Sequence, residues 1–162
     1  PNPVIFFEHK ALYRSVKDEI PTDYYNVEIG KAQIVKEGHD VSIITYGMGV
    51  HWALNAAKDF EGRIEIIDLR TLNPIDFDTI YDSVKRTNRC MVLTEEPRNN
   101  TFAMSLSGNI QEHCFRHWDA PVVTMGSENM PAIPLNSTLE QTMLPSAAKV
   151  SQKIGELFDY WG

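Results

Sequence analysis

The sequence predicts an α/β fold in which a mostly parallel sheet is covered by helices on both faces. Short β-branched runs alternate with amphipathic stretches at helical spacing, a pattern typical of right-handed strand–helix–strand crossovers. One strand pair is joined instead by residues 36–40, whose central Gly38 can take the positive φ of a tight hairpin. The first two strands of this unit are therefore expected to be antiparallel neighbours, which adds one antiparallel edge strand.

The predicted elements follow in order along the chain. Apolar residues 4–7 indicate a first strand, and residues 34–35 and 41–46 indicate the hairpin strands. A helix after Gly47 is expected to end near Gly62, and residues 64–69 form the next strand. The apolar face of that helix consists of Val50, Ala53, Leu54 and Ala57.

The second half continues the alternation. Asp76 is the expected N-cap of a second helix. Residues 90–94 are expected to form a third parallel strand, and residues 122–125 are expected to form the last strand. Prolines in residues 126–145 exclude a continuous helix, so an ordered surface segment is expected before a closing helix from about Ser146. The buried faces of the three helices are predicted to be Phe77, Ile80, Tyr81 and Val84; Ala103, Leu106, Ile110 and Cys114; and Val150, Ile154, Leu157, Phe158 and Trp161.

Charge and composition exclude several classes of partner. The 162 residues carry 15 Lys+Arg against 22 Asp+Glu, a net charge of −7 without a basic run, which argues against nucleic acid or an anionic membrane. The longest apolar stretches are strand-sized, too short for a membrane span. Cys90 and Cys114 are too few for a disulfide framework and are interpreted as inert core thiols, which favours a reducing, cytoplasmic location.

A dinucleotide site is one hypothesis that the sequence leaves open. Gly47 and Gly49 follow a strand and open a helix, and Asp68 lies about twenty residues on, as a dinucleotide fingerprint requires. Trp52, however, stands where a third small residue is needed. A tight turn into a helix is the better interpretation, and an oxidoreductase using Gly47, Gly49 and Asp68 remains an alternative.

No complete catalytic set is found elsewhere. Glu95, Glu96 and Arg98 lie at the carboxyl end of a predicted parallel strand and are interpreted as an ion-pair or interface cluster rather than acid–base catalysts. His113 and His117 are one helical turn apart, but no third metal ligand follows at suitable spacing. Catalytic, cofactor-binding and metal-binding residues are therefore all predicted to be absent from this chain.

Four motifs occur together and carry a family resemblance. They are Glu8-His9-Lys10 within residues 6–14, Ile29-Gly30-Lys31 within residues 29–41, residues 44–47, and Asp68-Leu69-Arg70-Thr71 within residues 67–74. With Glu95-Glu96-Pro97-Arg98 and residues 110–112, they resemble the beta subunit of the decarboxylating component of 2-oxo acid dehydrogenase complexes. The resemblance implies that residues 1–22 are the tail of a preceding pyrimidine-binding domain and a linker. It implies that residues 23–162 are a transketolase C-terminal-like domain, three-layer α/β/α with a five-stranded mixed sheet.

The resemblance implies that the whole enzyme decarboxylates a 2-oxo acid on thiamine diphosphate and Mg²⁺ and transfers the acyl group to a lipoyl-acyltransferase. The groups that hold and activate the cofactor have no counterpart in this chain, so the isolated chain is expected to bind no cofactor and to be inactive. Its implied partners are a second copy of the domain, the alpha subunit or alpha-like region, and the peripheral subunit-binding domain of the acyltransferase. The same domain of transketolase or deoxyxylulose phosphate synthase is the alternative within the superfamily.

Five residues are the candidates for partner binding by this resemblance: Glu95, Glu96, Arg98, Glu128 and Asn129. Relatives commonly carry an Asp at the position of Asn129, and Glu128 is the candidate to supply the missing negative charge. Basic residues of the acyltransferase would meet these acidic groups. Trp118 and Met130 are expected to face the second copy.

Overall fold

The computed structural model describes residues 2–160 and contains one five-stranded mixed sheet. The strand order is β1-β3-β2-β4-β5, and all neighbouring pairs are parallel except β1 and β3. The predicted fold class, with one antiparallel edge strand, is confirmed. The strands are β1 (Gln33–Lys36), β2 (Val41–Thr45), β3 (Ile64–Asp68), β4 (Cys90–Pro97) and β5 (Val123–Ser127).

Helices cover both faces of the sheet. They are α1 (Leu12–Ser15), α2 (Met48–Ala56), α3 (Phe77–Thr87), α4 (Phe102–His113), α5 (Ser137–Met143) and α6 (Ala147–Phe158). One hydrophobic cluster joins α2 and α6 to the sheet, and a second joins α3 and α4 to its other face. Ile43 and Ile44 show the division, because these consecutive residues of β2 are both fully buried but belong to different clusters.

The predicted hairpin between β1 and β2 is wrong. β1 hydrogen-bonds to β3 instead, with Gln33 opposite Asp68, so β3 lies between the two strands that the sequence pairs. Gly38 does not adopt a positive φ, and a Cβ at this position would lie 2.2 Å from the carbonyl carbon of Ile64. Gly38 is therefore needed where the chain passes the start of β3, not for a tight turn.

The predicted strand at residues 4–7 is also absent, because these residues have no regular structure. Val4 and Phe7 are 86% and 91% exposed. Apolar β-formers need a neighbouring strand to pair with, and none of the described residues supplies one.

Several element boundaries differ from the predictions. β4 continues to Pro97, α2 ends at Ala56 before a single 3-10 turn, and the proline-containing segment includes the short helix α5. Asp76 caps α3 as predicted, and its carboxylate accepts hydrogen bonds from the amides of Thr79 and Ala32. The predicted buried positions of α3, α4 and α6 lie in the core or pack against it, except Trp161, which is outside the described residues.

Candidate functional site: an acidic groove at the end of the central strands

The candidate site is built on a bulge near the end of β4. Leu93 pairs with Met125 and Pro97 pairs with Ser127, so four residue steps on β4 face two on β5. Such an insertion bends a strand and re-aims its side chains. Gly126 permits the close approach of the two strands, because a Cβ there would lie 2.5 Å from the Glu96 carbonyl oxygen.

The backbone around the bulge is held by two hydrogen bonds with Ser127 of β5. The amide of Arg98 donates to the Ser127 carbonyl oxygen at 3.0 Å. The Ser127 hydroxyl donates to the carbonyl oxygen of Glu95 at 2.9 Å, and Ser127 is buried. The positions of Glu95 and Glu96 are therefore set by pairing with a strand more than thirty residues away.

An open groove of about 500 Å³ lies beside this bulge, and we call it the acidic groove. Four of its lining residues carry carboxylates, and an apolar surface lies between them. It is lined by Glu95, Glu96, Pro97, Ser127, Glu128, Asn129, Met130, Ala132, Ile133, Glu140, Met143 and Leu144. Four of the five predicted partner-binding residues are thus brought together, by the adjacency of β4 and β5.

The fifth predicted residue lies apart from the acidic groove. Arg98 lines an adjoining depression of about 220 Å³ with Lys149, Lys153 and Glu156, and Glu128 borders both cavities. Arg98 is exposed and forms no salt bridge within the described part of the chain. The interpretation of Arg98 as an ion-pair partner of the glutamates is therefore not supported by the structure.

The carboxylates of the acidic groove have different roles. Glu96 accepts a hydrogen bond from the Ala103 amide at 2.9 Å, in the first turn of α4. This contact suits the positive end of the helix, where the N-cap residue Thr101 makes no side-chain cap bond. Glu128 and Asn129 are exposed in the loop after β5 and are available to a partner.

Glu95 contacts a residue far away in sequence. The Nε2 atom of His9 lies 2.7 Å from a Glu95 carboxylate oxygen, and both side chains are partly exposed. His9 therefore anchors the N-terminal segment to the end of β4. The pKa of the nearby Tyr46 hydroxyl is raised to about 12. Burial has the largest effect, and the negative charges of Glu96 and Glu95 add to it.

A second open groove of about 510 Å³ lies near the carboxyl ends of β2 and β4. The chain runs from β2 to α2 on one face of the sheet and from β4 to α4 on the other face, so we call it the switch-point groove. Such positions commonly bind ligands in open α/β sheets. It is lined by Phe7, Glu8, His9, Tyr46, Gly47, Met48, Asp68, Arg70, Leu72 and Glu95.

The switch-point groove tests the dinucleotide hypothesis. Gly47 and Asp68 do lie together, but Gly49 is buried against β2, where a Cβ would meet the Thr45 hydroxyl. Burial raises the pKa of Asp68, and its carboxylate already accepts the Arg70 amide at 3.1 Å. Three carboxylates in this groove would repel a diphosphate, so its residues do not fit a dinucleotide.

The remaining candidate residues have structural surroundings. His113 stacks on Tyr81 with ring centroids 4.9 Å apart, and within residues 2–160 no group of three or more His, Cys, Asp or Glu side chains is arranged to hold a metal ion. Cys90 and Cys114 are free and buried, as predicted, and burial raises the pKa of both thiols. Across the same residues, no helix combines the length and apolar character required to cross a bilayer.

Sequence reasoning missed His9, Glu140 and, apart from Met130, the apolar part of the acidic groove. In the sequence, Glu8-His9-Lys10 is only part of a family motif, and nothing local relates His9 to Glu95, 86 residues away. Glu140 is carried by α5, a helix that the proline-rich composition obscured.

Comparisons with known proteins agree with this architecture. Residues 30–150 match the family model described as transketolase, C-terminal domain. A solved structure of a split-gene transketolase, an inactive beta4 tetramer, superimposes with a TM-score of 0.69 at 23% identity, covering 83% of this chain and 44% of that one.

Curated relatives are more similar in sequence. The 2-oxoisovalerate dehydrogenase subunit beta of Bacillus subtilis is 36% identical over 98% of this chain and 50% of its own length. The pyruvate dehydrogenase E1 component subunit beta of Staphylococcus aureus is 35% identical over 98% of this chain and 49% of its own. The chain thus spans about half the length of these relatives.

Proposed function

This chain belongs to the transketolase C-terminal domain family, and from that membership we propose that it is the assembly domain of a 2-oxo acid dehydrogenase. The proposed whole enzyme decarboxylates a 2-oxo acid on thiamine diphosphate and Mg²⁺ and transfers the acyl group to a lipoyl-acyltransferase. The likeness to two kinds of dehydrogenase beta subunit supports this reaction class. In this proposal the chain contributes docking and pairing surfaces, acts in the cytoplasm and works beside an alpha subunit.

The acidic groove is the observation that carries the proposal. Its carboxylates surround an apolar surface formed by Met130, Ile133, Met143 and Leu144. A partner with basic side chains around an apolar contact would match this arrangement in charge and character. We propose that the partner is the peripheral subunit-binding domain of the acyltransferase.

The carboxylates do not contribute equally to this proposed docking. Glu96 is engaged at the start of α4, whereas Glu128 and Glu140 are exposed on the loop after β5 and on α5. The net charge of −7 adds long-range attraction for a basic partner, which should be sensitive to ionic strength. We therefore expect Glu128 and Glu140 to carry most of the direct electrostatic contact.

Among the described residues, the lining of the switch-point groove does not suit the diphosphate of thiamine diphosphate. The switch-point groove presents Glu8, Asp68 and Glu95 against the single cation Arg70, an environment that opposes a diphosphate. In the proposal, the cofactor is accordingly held outside this chain, and the isolated chain is inactive.

Pairing with a second copy is the other proposed role. Leu135 and Leu139, which do not line the acidic groove, are 104% and 54% exposed, and Met130, which does line it, is 47% exposed. Apolar exposure of this kind is typical of a contact surface. Trp118 supports the pairing less well, because it packs partly into its own domain and its indole N–H donates to the Gln111 carbonyl oxygen.

Calorimetric titration with a purified peripheral subunit-binding domain tests the docking. Wild type should bind saturably, and Glu128→Gln and Glu140→Gln should each weaken binding by about two- to fivefold at low salt. Asn129→Asp, which adds the negative charge that the family resemblance implies at this position, should strengthen binding by a similar factor. Glu61→Gln is the matched control, since Glu61 is exposed near the start of β3, at the opposite end of the sheet.

The outcomes separate clearly. Equal weakening by Glu61→Gln and Glu128→Gln would show that only net charge matters and would remove the groove from the proposal. Wild type that does not bind at all would overturn the docking role.

A further inference from the structure

Glu95 lines both the acidic groove and the switch-point groove, and its carboxylate receives His9 from the N-terminal segment. Resting on the docking role proposed above, we propose that Glu95 is a shared acceptor for which His9 and a basic side chain of the docked partner compete. Docking would then weaken the contact between His9 and Glu95, and that contact would weaken docking.

The contact between His9 and Glu95 is the main anchor of the N-terminal segment. Within the described part of the chain, it is the one hydrogen bond that joins residues 2–29 to the remainder. The Nε2–Oε2 distance is 2.7 Å, and the side chains are 30% and 40% exposed. Most of the neighbouring segment is exposed, including Phe6 at 82% and Phe7 at 91%. Loss of this contact should therefore leave the sheet and its covering helices folded.

The backbone of Glu95 is held in place while its side chain remains accessible. The Ser127 hydroxyl fixes the Glu95 carbonyl oxygen, and the bulge places the side chain at the junction of the two grooves. A cation approaching from the acidic groove can therefore reach the carboxylate without any rearrangement of β4 or β5.

The sign of the coupling follows from the charge on Glu95. A lysine or arginine at this carboxylate draws electron density away from the oxygen that accepts His9, and it repels the imidazole when that ring carries a proton. Each contact thus weakens the other. Because linkage is reciprocal, the factor by which docking weakens the anchor equals the factor by which the anchor weakens docking.

The test is calorimetric titration of the 162-residue chain with the peripheral subunit-binding domain. His9→Ala should lower the Kd by about three- to tenfold, because it leaves the Glu95 carboxylate without a competing donor. His39→Ala is the matched control, since it removes the same kind of side chain at an exposed position. His39 lies just before β2, at the end of the sheet opposite to Glu95. In a Glu95→Gln background, His9→Ala should change the Kd by less than twofold.

A second measurement follows His9 itself. Its imidazole resonances, assigned by their loss in His9→Ala, should shift in wild type as the binding domain is added and follow the same saturation curve. The resonances of His39 should stay unchanged.

Each outcome decides a separate point. Wild type that does not bind overturns the docking role and the shared acceptor together. Wild type that binds, with the same Kd in His9→Ala and static His9 resonances, overturns the shared acceptor alone. Tighter binding by His9→Ala that persists in the Glu95→Gln background overturns the role of Glu95.

Discussion

Replacing Gly126 with alanine tests whether the β4 bulge depends on the close approach of β5. The added Cβ would lie 2.5 Å from the Glu96 carbonyl oxygen and 3.3 Å from the Arg98 Cα and amide nitrogen. All three atoms belong to the backbone, so no flexible side chain can move aside. Relief of the contact requires β5 to separate from the bulge by roughly 1 Å.

The cost can be worked from these contacts. Overpacking at a rigid position costs about 1–3 kcal/mol. The displacement also weakens the bond from the Arg98 amide to the Ser127 carbonyl oxygen, which contributes about 0.5–1.5 kcal/mol. We expect Gly126→Ala to lower the free energy of unfolding by about 2–4 kcal/mol and to weaken partner docking in parallel.

Urea denaturation followed by circular dichroism measures this change, and two other glycines serve as controls. Gly108 and Gly155 lie in α4 and α6, and a Cβ at either meets nothing within 4 Å. Alanine there should stabilise the protein by about 0.5–1 kcal/mol. A Gly126→Ala variant within about 0.5 kcal/mol of wild type would refute the reasoning, because the close contact would then carry no cost.

Two further predictions concern groups in the core. Burial raises the pKa of Asp76, but hydrogen bonds from Thr79 and Ala32 outweigh that effect and hold the pKa below its ordinary value. The ionised carboxylate therefore stabilises the fold above about pH 4, and this contribution is lost as the pH falls. The difference in free energy of unfolding between wild type and Asp76→Asn should shrink as the pH is lowered. A difference that stays constant would contradict this. Cys90 and Cys114 are buried and the pKa values of their thiols are raised, so neither should react with a thiol reagent at pH 8 until denaturant is added. Mass spectrometry measures the labelling. A native protein that becomes labelled would contradict the burial of these thiols.

The elements that the sequence predicted well are those encoded locally. Asp76 was recognised as an N-cap because its side chain acts on an amide three residues away. Strands and helices in the central region follow from the period of their apolar residues. These signals require no knowledge of which element lies beside which.

The errors concern relationships across the chain. The link at Gly38 looked like a hairpin, although β3, which separates β1 from β2, appears only later in the sequence. Residues 4–7 have the composition of a strand but no partner among the described residues. His9 and Glu95 carry no mutual signal, because their contact exists only once the sheet has formed.

The candidate site falls between these cases. The sequence predicts Glu95, Glu96, Glu128 and Asn129 as partner-binding residues, and the structure places them around one groove because β4 and β5 are neighbours. The engagement of Glu96 with α4 could not be foreseen, since it depends on the direction in which the bulge turns that side chain.

The position of β1 has a consequence for the order in which the chain acquires its structure. Although β1 is made first, its strand partner is β3, and β3 must in turn lie beside β2. On a ribosome, residues 33–36 must therefore wait until residue 68 has emerged and α2 has brought β3 into place. The edge strand closest to the N-terminus is thus expected to be among the later parts of the sheet to assemble, and it stays exposed to other pairing partners in the interval.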